Sequence, residues 1–186
     1  MARSTNNLIT LGLHGLIGDM LVFRTRNGKT FVSAKPKDRT GELSEAQQAH
    51  NSKFQQATLY AKAITADPFM KEAYREASKS GAPAYNVAVA DFFHAPDIHS
   101  VDLSNYSGKI DDTIAIIVSD DFRVKEVTVR IINADGTVVE QGSADLVSTD
   151  KWLYRAKAEN ISLDGDKIEI KASDLPGNIS VKEESM

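Results

Sequence analysis

Residues 110–178 alternate apolar and polar side chains in short runs, and pairs of turn-forming residues cut the runs apart. In extended backbone, successive side chains point to opposite sides. Val127, Val129 and Ile131 therefore line one face of a strand, and Ile168 and Ile170 line one face of another. Asp135-Gly136, Asp164-Gly165 and Pro176-Gly177-Asn178 supply the residues that tight turns require. A run with this period has one greasy face, and that face must be covered by a second layer. The pattern predicts a small β-sandwich with the single tryptophan, Trp152, in its interior.

Strands are expected at 98–103, 112–119, 124–132, 137–142, 151–158, 166–172 and 179–182. Seven short strands at this spacing favour an immunoglobulin-like sandwich over residues 97–186. The chain has no cysteine, so its core must rest on packing alone, with Ile116, Val129, Ile131, Trp152, Tyr154 and Ile170 as the expected core residues. The same absence excludes disulfides, thiolate zinc sites and cysteine nucleophiles.

Residues 1–96 have a different character. Residues 1–7 are polar and are expected to be loose. Gly12, Gly15 and Gly18 suit a turn or a close backbone approach, and their spacing is not that of a dinucleotide-binding loop. Two strand-like runs, 19–25 and 29–35, flank Arg26-Asn27-Gly28, and Asn-Gly between β-formers signals a hairpin with a type I′ turn. Gly28-Lys29-Thr30 is not a phosphate loop, because Phe23 stands where its first glycine would be. Helices follow at 44–65, at 68–79 behind Asp67-Pro68, and at 84–94, with a strand over 86–90 as the competing assignment for the third. The fold class expected for the whole chain is α+β.

The hairpin and its exit are basic, with Arg24, Arg26, Lys29, Lys35, Lys37 and Arg39 beside Phe23 and Phe31. Two readings fit. The hairpin is amphipathic, with Leu21, Phe23 and Phe31 packed inward and the cations in water, or it is a ribbon that lies on a nucleic-acid backbone. The net charge of −4 and the lack of a second basic element favour the first. Charge is divided unevenly: residues 1–95 hold 12 Lys and Arg against 8 Asp and Glu, and residues 96–186 hold 10 against 18. That change marks an expected domain boundary near Pro96. It lets a basic front meet an acidic back in a head-to-tail assembly, although two separately solvated surfaces would show the same division.

The motif Val118-Ser119-Asp120-Asp121-Phe122-Arg123-Val124, the Val127, Val129 and Ile131 alternation, Trp152 with Tyr154, Asp164-Gly165, and Ala172-Ser173-Asp174-Leu175-Pro176-Gly177-Asn178 together resemble the repeated immunoglobulin-like modules of bacterial surface and adhesive proteins. The resemblance implies a binding, spacing or assembly module and points away from an enzyme. This chain carries one copy, with no repeat array. The front half resembles uncharacterised proteins of Bacteroidota and related bacteria through Gly15 and Gly18, the Arg-x-Asn-Gly-Lys hairpin, Lys35-Pro36, Glu45-Ala46-Gln47, Phe54, and 84–88 with Phe93, His94 and Pro96. That likeness implies no activity.

Three groups of side chains offer chemistry. His94, Asp97 and His99 form a compact set of ligand types, but on a proline-containing linker that lacks the rigid support a zinc site needs. Asp120, Asp121 and Asp174 fall in loops expected at one end of the sandwich. Clustered oxygens there suit Ca2+, while loop capping by the same carboxylates is the plainer alternative. Asn133-Ala134-Asp135-Gly136 opens like a calcium-binding helical loop but lacks its closing glutamate, so it reads as a turn. No hydrolase, metalloprotease or paired-acid motif is present. The sequence therefore points to a non-enzymatic structural or interaction protein, homo-oligomeric or docked on a larger bacterial or phage-like particle. The hairpin residues Phe23, Arg24, Arg26, Asn27, Gly28, Lys29 and Phe31 are its expected contact. A carbohydrate- or calcium-binding module and a nucleic-acid binder are the alternatives. No cofactor other than Ca2+ and no small-molecule substrate is expected. With no apolar leader or spanning segment in the sequence, synthesis in the cytoplasm is expected, followed by incorporation into a particle or leaderless release.

Overall fold

A computed structural model of the chain describes residues 2–4, 10, 12–26, 29–37, 41–78 and 81–186. It is a mixed α+β structure that divides into two compact units, Met1–Glu45 and Ala46–Met186. The helices thus fall within the same unit as the sandwich, and the division does not coincide with the change of charge near Pro96. Among the described residues, no helix is long and apolar enough to cross a membrane.

The first unit is one antiparallel sheet of β1 (Ala2–Ser4), β2 (Gly15–Ile17), β3 (Leu21–Arg26) and β4 (Lys29–Ala34), in the order β1-β4-β3-β2. The expected hairpin is present as β3 and β4, with Arg26 paired to Lys29. Asn27 and Gly28, expected to close it, lie outside the described residues. The register couples Phe23 to Val32, Leu21 to Ala34 and Phe31 to Arg24. Phe23 and Leu21 therefore share a face and Phe31 lies on the other, which corrects the expectation that all three point inward. The reason is arithmetic: pairing across a two-residue loop couples odd to even positions, so two odd-numbered residues on opposite strands take opposite faces. Residues 1–7 were expected to be loose, yet Ala2–Ser4 pairs with β4. A second hairpin joins β2 to β3 through Gly18 and Asp19, both at positive φ (58° and 54°).

In the second unit, α1 (Glu45–Ile64), α2 (Pro68–Glu76) and α3 (Ala84–Asp91) precede eight strands. Asp67 caps α2 by accepting from the Phe69 amide at 2.8 Å, and Pro68 loses nothing at the first turn, where its missing N–H would have no helical partner. α3 forms over the 86–90 stretch for which a strand was the competing assignment. Its buried positions, Ala84, Ala88 and Asp91, recur at helical spacing, and the two alanines let it pack closely. Ala61, Tyr74, Ala84 and Ala88 form the helical core.

The strands are β5 (Asp97–Asp102), β6 (Thr113–Ser119), β7 (Val124–Ile132), β8 (Val138–Ser143), β9 (Asp145–Leu146), β10 (Lys151–Arg155), β11 (Lys167–Asp174) and β12 (Ile179–Ser185). They make two antiparallel sheets, β5-β6-β10-β9 and β12-β11-β7-β8. All seven expected strands are present, 124–132 with its expected bounds and the others with shifted ends, and the two-residue β9 is additional. One core joins the sheets: Ile114, Ile116 and Val118 from β6, Val127, Val129 and Ile131 from β7, Trp152 and Tyr154 from β10, and Ile168, Ile170 and Ala172 from β11. Every expected core residue is in it. Each fully buried Val or Ile contributes about 1.5–3 kcal/mol of transfer free energy, which makes this the dominant stabilising cluster of the unit.

Candidate functional site

Two loops at one end of the sandwich meet the C-terminal end of α3. The first loop, 120–123, joins β6 to β7, and the second, 175–178, joins β11 to β12. A register shift between Ser173 and Asp174 interrupts the β11–β7 ladder just before the second loop, and the Asp174 side chain is fully buried there. Asp174 Oδ1 accepts from the backbone N–H groups of Gly177 (2.7 Å) and Asn178 (2.6 Å), so its carboxylate shapes the Leu175-Pro176-Gly177 turn, with Gly177 at φ +97°.

Asn178 ties the layers together. Its Nδ2 lies 2.7 Å from Asp174 Oδ2, 2.8 Å from the His94 carbonyl, and 3.2 and 3.3 Å from the carbonyls of Asp91 and Phe92. A sandwich loop thereby supplies a side-chain donor to the carbonyls at the end of α3. Beside it, Phe122 stacks on Tyr74 of α2, with centroids 3.8 Å apart and planes 18° apart. Arg123 lies over the Phe122 ring at 4.9 Å from its centroid.

Within this junction Asp91, Asp120 and Asp174 each bring a carboxylate oxygen within 4.8 Å of the other two. Asp91 is wholly buried. Its Oδ2 accepts from Tyr74 Oη at 2.7 Å, and Tyr74 Oη is 2.9 Å from Tyr60 Oη. Its Oδ1 is buried and has no hydrogen-bond partner, and the same holds for both carboxylate oxygens of Asp120. Burial, followed by the neighbouring charges of Asp120, Asp174 and Asp121, pushes the Asp91 carboxyl up to about 7, against the opposing pull of the Tyr74 hydrogen bond. Asp120 is raised as well, first by burial and then by Asp174 and Asp121. The amides of Asp121 and Arg123 offset part of that rise, although neither reaches hydrogen-bonding geometry on the carboxylate. Burial also raises the Tyr74 and Tyr60 phenols, which keeps them as hydrogen-bond donors.

Of the three aspartates expected here, the structure brings Asp120 and Asp174 together and leaves Asp121 aside. Asp121 is exposed and pairs with His94 Nδ1 at 2.5 Å. The fold also parts the histidines of the 94–99 linker: His99 lies 2.6 Å from Ser119 Oγ and 3.5 Å from Asp97. Asp91, Tyr74 and Tyr60 did not stand out in the sequence, and Asn178 stood out only as part of a turn and its motif. One signal for Asp91 was there: it is the sole charged residue in 84–93, a stretch that is apolar apart from Asn86 and the Tyr85 hydroxyl. Asp135 caps its own turn by accepting from the Thr137 amide and hydroxyl, as expected of a hairpin loop.

The hairpin residues belong to the other unit. Among its described residues only Phe23 and Thr30 are buried, while Leu16, Ile17, Met20 and Leu21 are 51%, 44%, 70% and 42% exposed. Arg24 and Lys29 are exposed, and Asp19 forms an ion pair with Lys35 at 2.7 Å. Comparison with protein-family models, curated proteins and solved structures finds no match to this chain.

Proposed function

We propose that the chain is a non-enzymatic structural or interaction protein whose N-terminal sheet mediates self-assembly, or docking of copies onto a larger particle. The carrying observation is the thinness of the first unit. Ile17, Leu21 and Phe23 share a face by register, and of these only Phe23 is buried. An apolar face left open to water marks a surface that a partner covers. A second copy is the occupant that fits. Met1–Glu45 carries seven Lys and Arg against four Asp and Glu, whereas the rest of the chain is acidic, so copies attract head to tail.

The sandwich supports the scaffold part of this reading. Labelling its strands A to G in chain order, with β8 as C′, the sheets run A-B-E-D and G-F-C-C′, an order found in immunoglobulin-like domains. The motifs that resemble bacterial immunoglobulin-like modules fall on the B–C loop, strand C, strand E, the E–F connection and the F–G loop. One departure is that the tryptophan lies on strand E, not on strand C.

The test is the mass of the full-length protein by light scattering at micromolar concentration. An oligomer is expected, reduced to monomer by Ile17→Lys with Leu21→Lys, and by deletion of residues 1–40. A wild-type monomer under these conditions would sink the reading.

A further inference from the structure

We infer that Asp91, Asp120 and Asp174 form a Ca2+ site that locks α3 to the end of the sandwich. Convergence of three acids is not the whole argument. Asp91 is wholly buried, its Oδ1 has no partner, and both oxygens of Asp120 are shielded and unpaired as well. Buried carboxylate oxygens without donors are costly, and natural proteins resolve them with an ion, water or a proton. Two basic side chains of this junction are engaged elsewhere: His94 is on Asp121, and Arg123 is over the Phe122 ring. Asp174 is already oriented by two amides and by Asn178, so its carboxylate is preorganised.

Ligand chemistry favours Ca2+, which accepts irregular sets of oxygens, over Mg2+, which demands near-ideal octahedral geometry and gives up water reluctantly. Two ligands on one cation cannot lie farther apart than twice the bond length, about 4.6–5.2 Å for Ca2+ and about 4.0–4.2 Å for Mg2+. Three carboxylate oxygens within 4.8 Å of one another fit inside the Ca2+ limit. All ligands are hard oxygens, as Ca2+ prefers. One comes from the end of α3, one from the 120–123 loop and one from the end of β11, so the bound ion cross-links three parts of the chain. This site is independent of the assembly reading, and either can fail alone.

The test is thermal unfolding of the full-length protein, followed by Trp152 fluorescence in calcium-free buffer and then with CaCl2 or MgCl2. At Ca2+ a hundredfold above its Kd, the midpoint is expected to rise by about 5–10 °C, with a smaller rise in Mg2+. Asp120→Asn is expected to fold, to be at least as stable as wild type without Ca2+ because it removes a repelling charge, and to lose the Ca2+ response. Asp121→Asn, outside the trio, is expected to keep it. An unchanged wild-type midpoint at millimolar Ca2+ overturns the proposal and assigns the neutralisation of the trio to protons. An equal Ca2+ shift in Asp120→Asn overturns it too, by placing the ion elsewhere.

Discussion

Replacing Asn178 with alanine removes the donor that joins the 175–178 loop to the end of α3. Four acceptors surround Nδ2, but an amide nitrogen carries two hydrogens, so the two shortest contacts carry most of the energy: Asp174 Oδ2 at 2.7 Å and the His94 carbonyl at 2.8 Å. The first bond is charge-assisted and contributes about 1.5–3 kcal/mol, and the second about 0.5–1.5 kcal/mol. Asn178 is only partly buried, so water replaces some of this, and the net loss should be about 2 kcal/mol. The turn itself should survive, because the Gly177 and Asn178 amides on Asp174 Oδ1 are backbone groups. Urea unfolding read by Trp152, the single tryptophan, reports on the unit that contains the substitution. A loss of about 2 kcal/mol corresponds to a fall in midpoint of about 4–8 °C. Hydrogen exchange gives the local readout. The amides of Phe92, Phe93 and His94 bond back into α3, and they should exchange faster in the variant if the clamp holds that end closed. A stability loss below about 0.5 kcal/mol, with unchanged exchange at 92–94, would refute the clamp.

Two further perturbations probe the same unit. Gly108 has φ +86°, and a Cβ there would sit 2.2 Å from the Asn160 carbonyl oxygen, so Gly108→Ala should cost about 3 kcal/mol or more and lower the thermal midpoint accordingly; a cost under about 1 kcal/mol would show that the 108–160 approach is soft. In calcium-free buffer, Asp91 holds its proton in the folded state up to about pH 7, while in the unfolded chain it releases it near pH 4. The folded state therefore binds more protons between those values. This contribution to stability is full below about pH 4 and is lost as pH rises through about 7. Asp91→Asn lacks it, so the variant should gain on wild type across that window and level off above it; a difference that stays flat from about pH 4 to pH 8 would contradict the burial argument.

Much of the architecture was legible in residue order. Alternation over 124–132 and 167–172 reflects the two-residue repeat of extended chain against one buried layer, so strand identity and the core set of Val129, Ile131, Trp152, Tyr154 and Ile170 could be read locally. Asp67-Pro68 likewise announced α2, because capping is satisfied within a few residues. Three-residue edge strands such as β1 and β2 were not legible, since they exist through pairing with a neighbour and carry no pattern of their own.

The site was half legible for the same reason. Asp120 and Asp174 could be expected to meet, because loops at the same end of a sandwich are brought together by strand order. Asp91 could not, because its place beside them depends on how α3 packs against that end, held by Asn178 and by the stacking of Phe122 on Tyr74. Local sterics and periodicity decided the strands, the hairpin and the core. Only the tertiary structure decided which face Phe31 takes, which acids converge, and that Asp121 turns away to His94. Those outcomes depend on register and on contacts between residues far apart in the chain, and no window of neighbouring residues contains them.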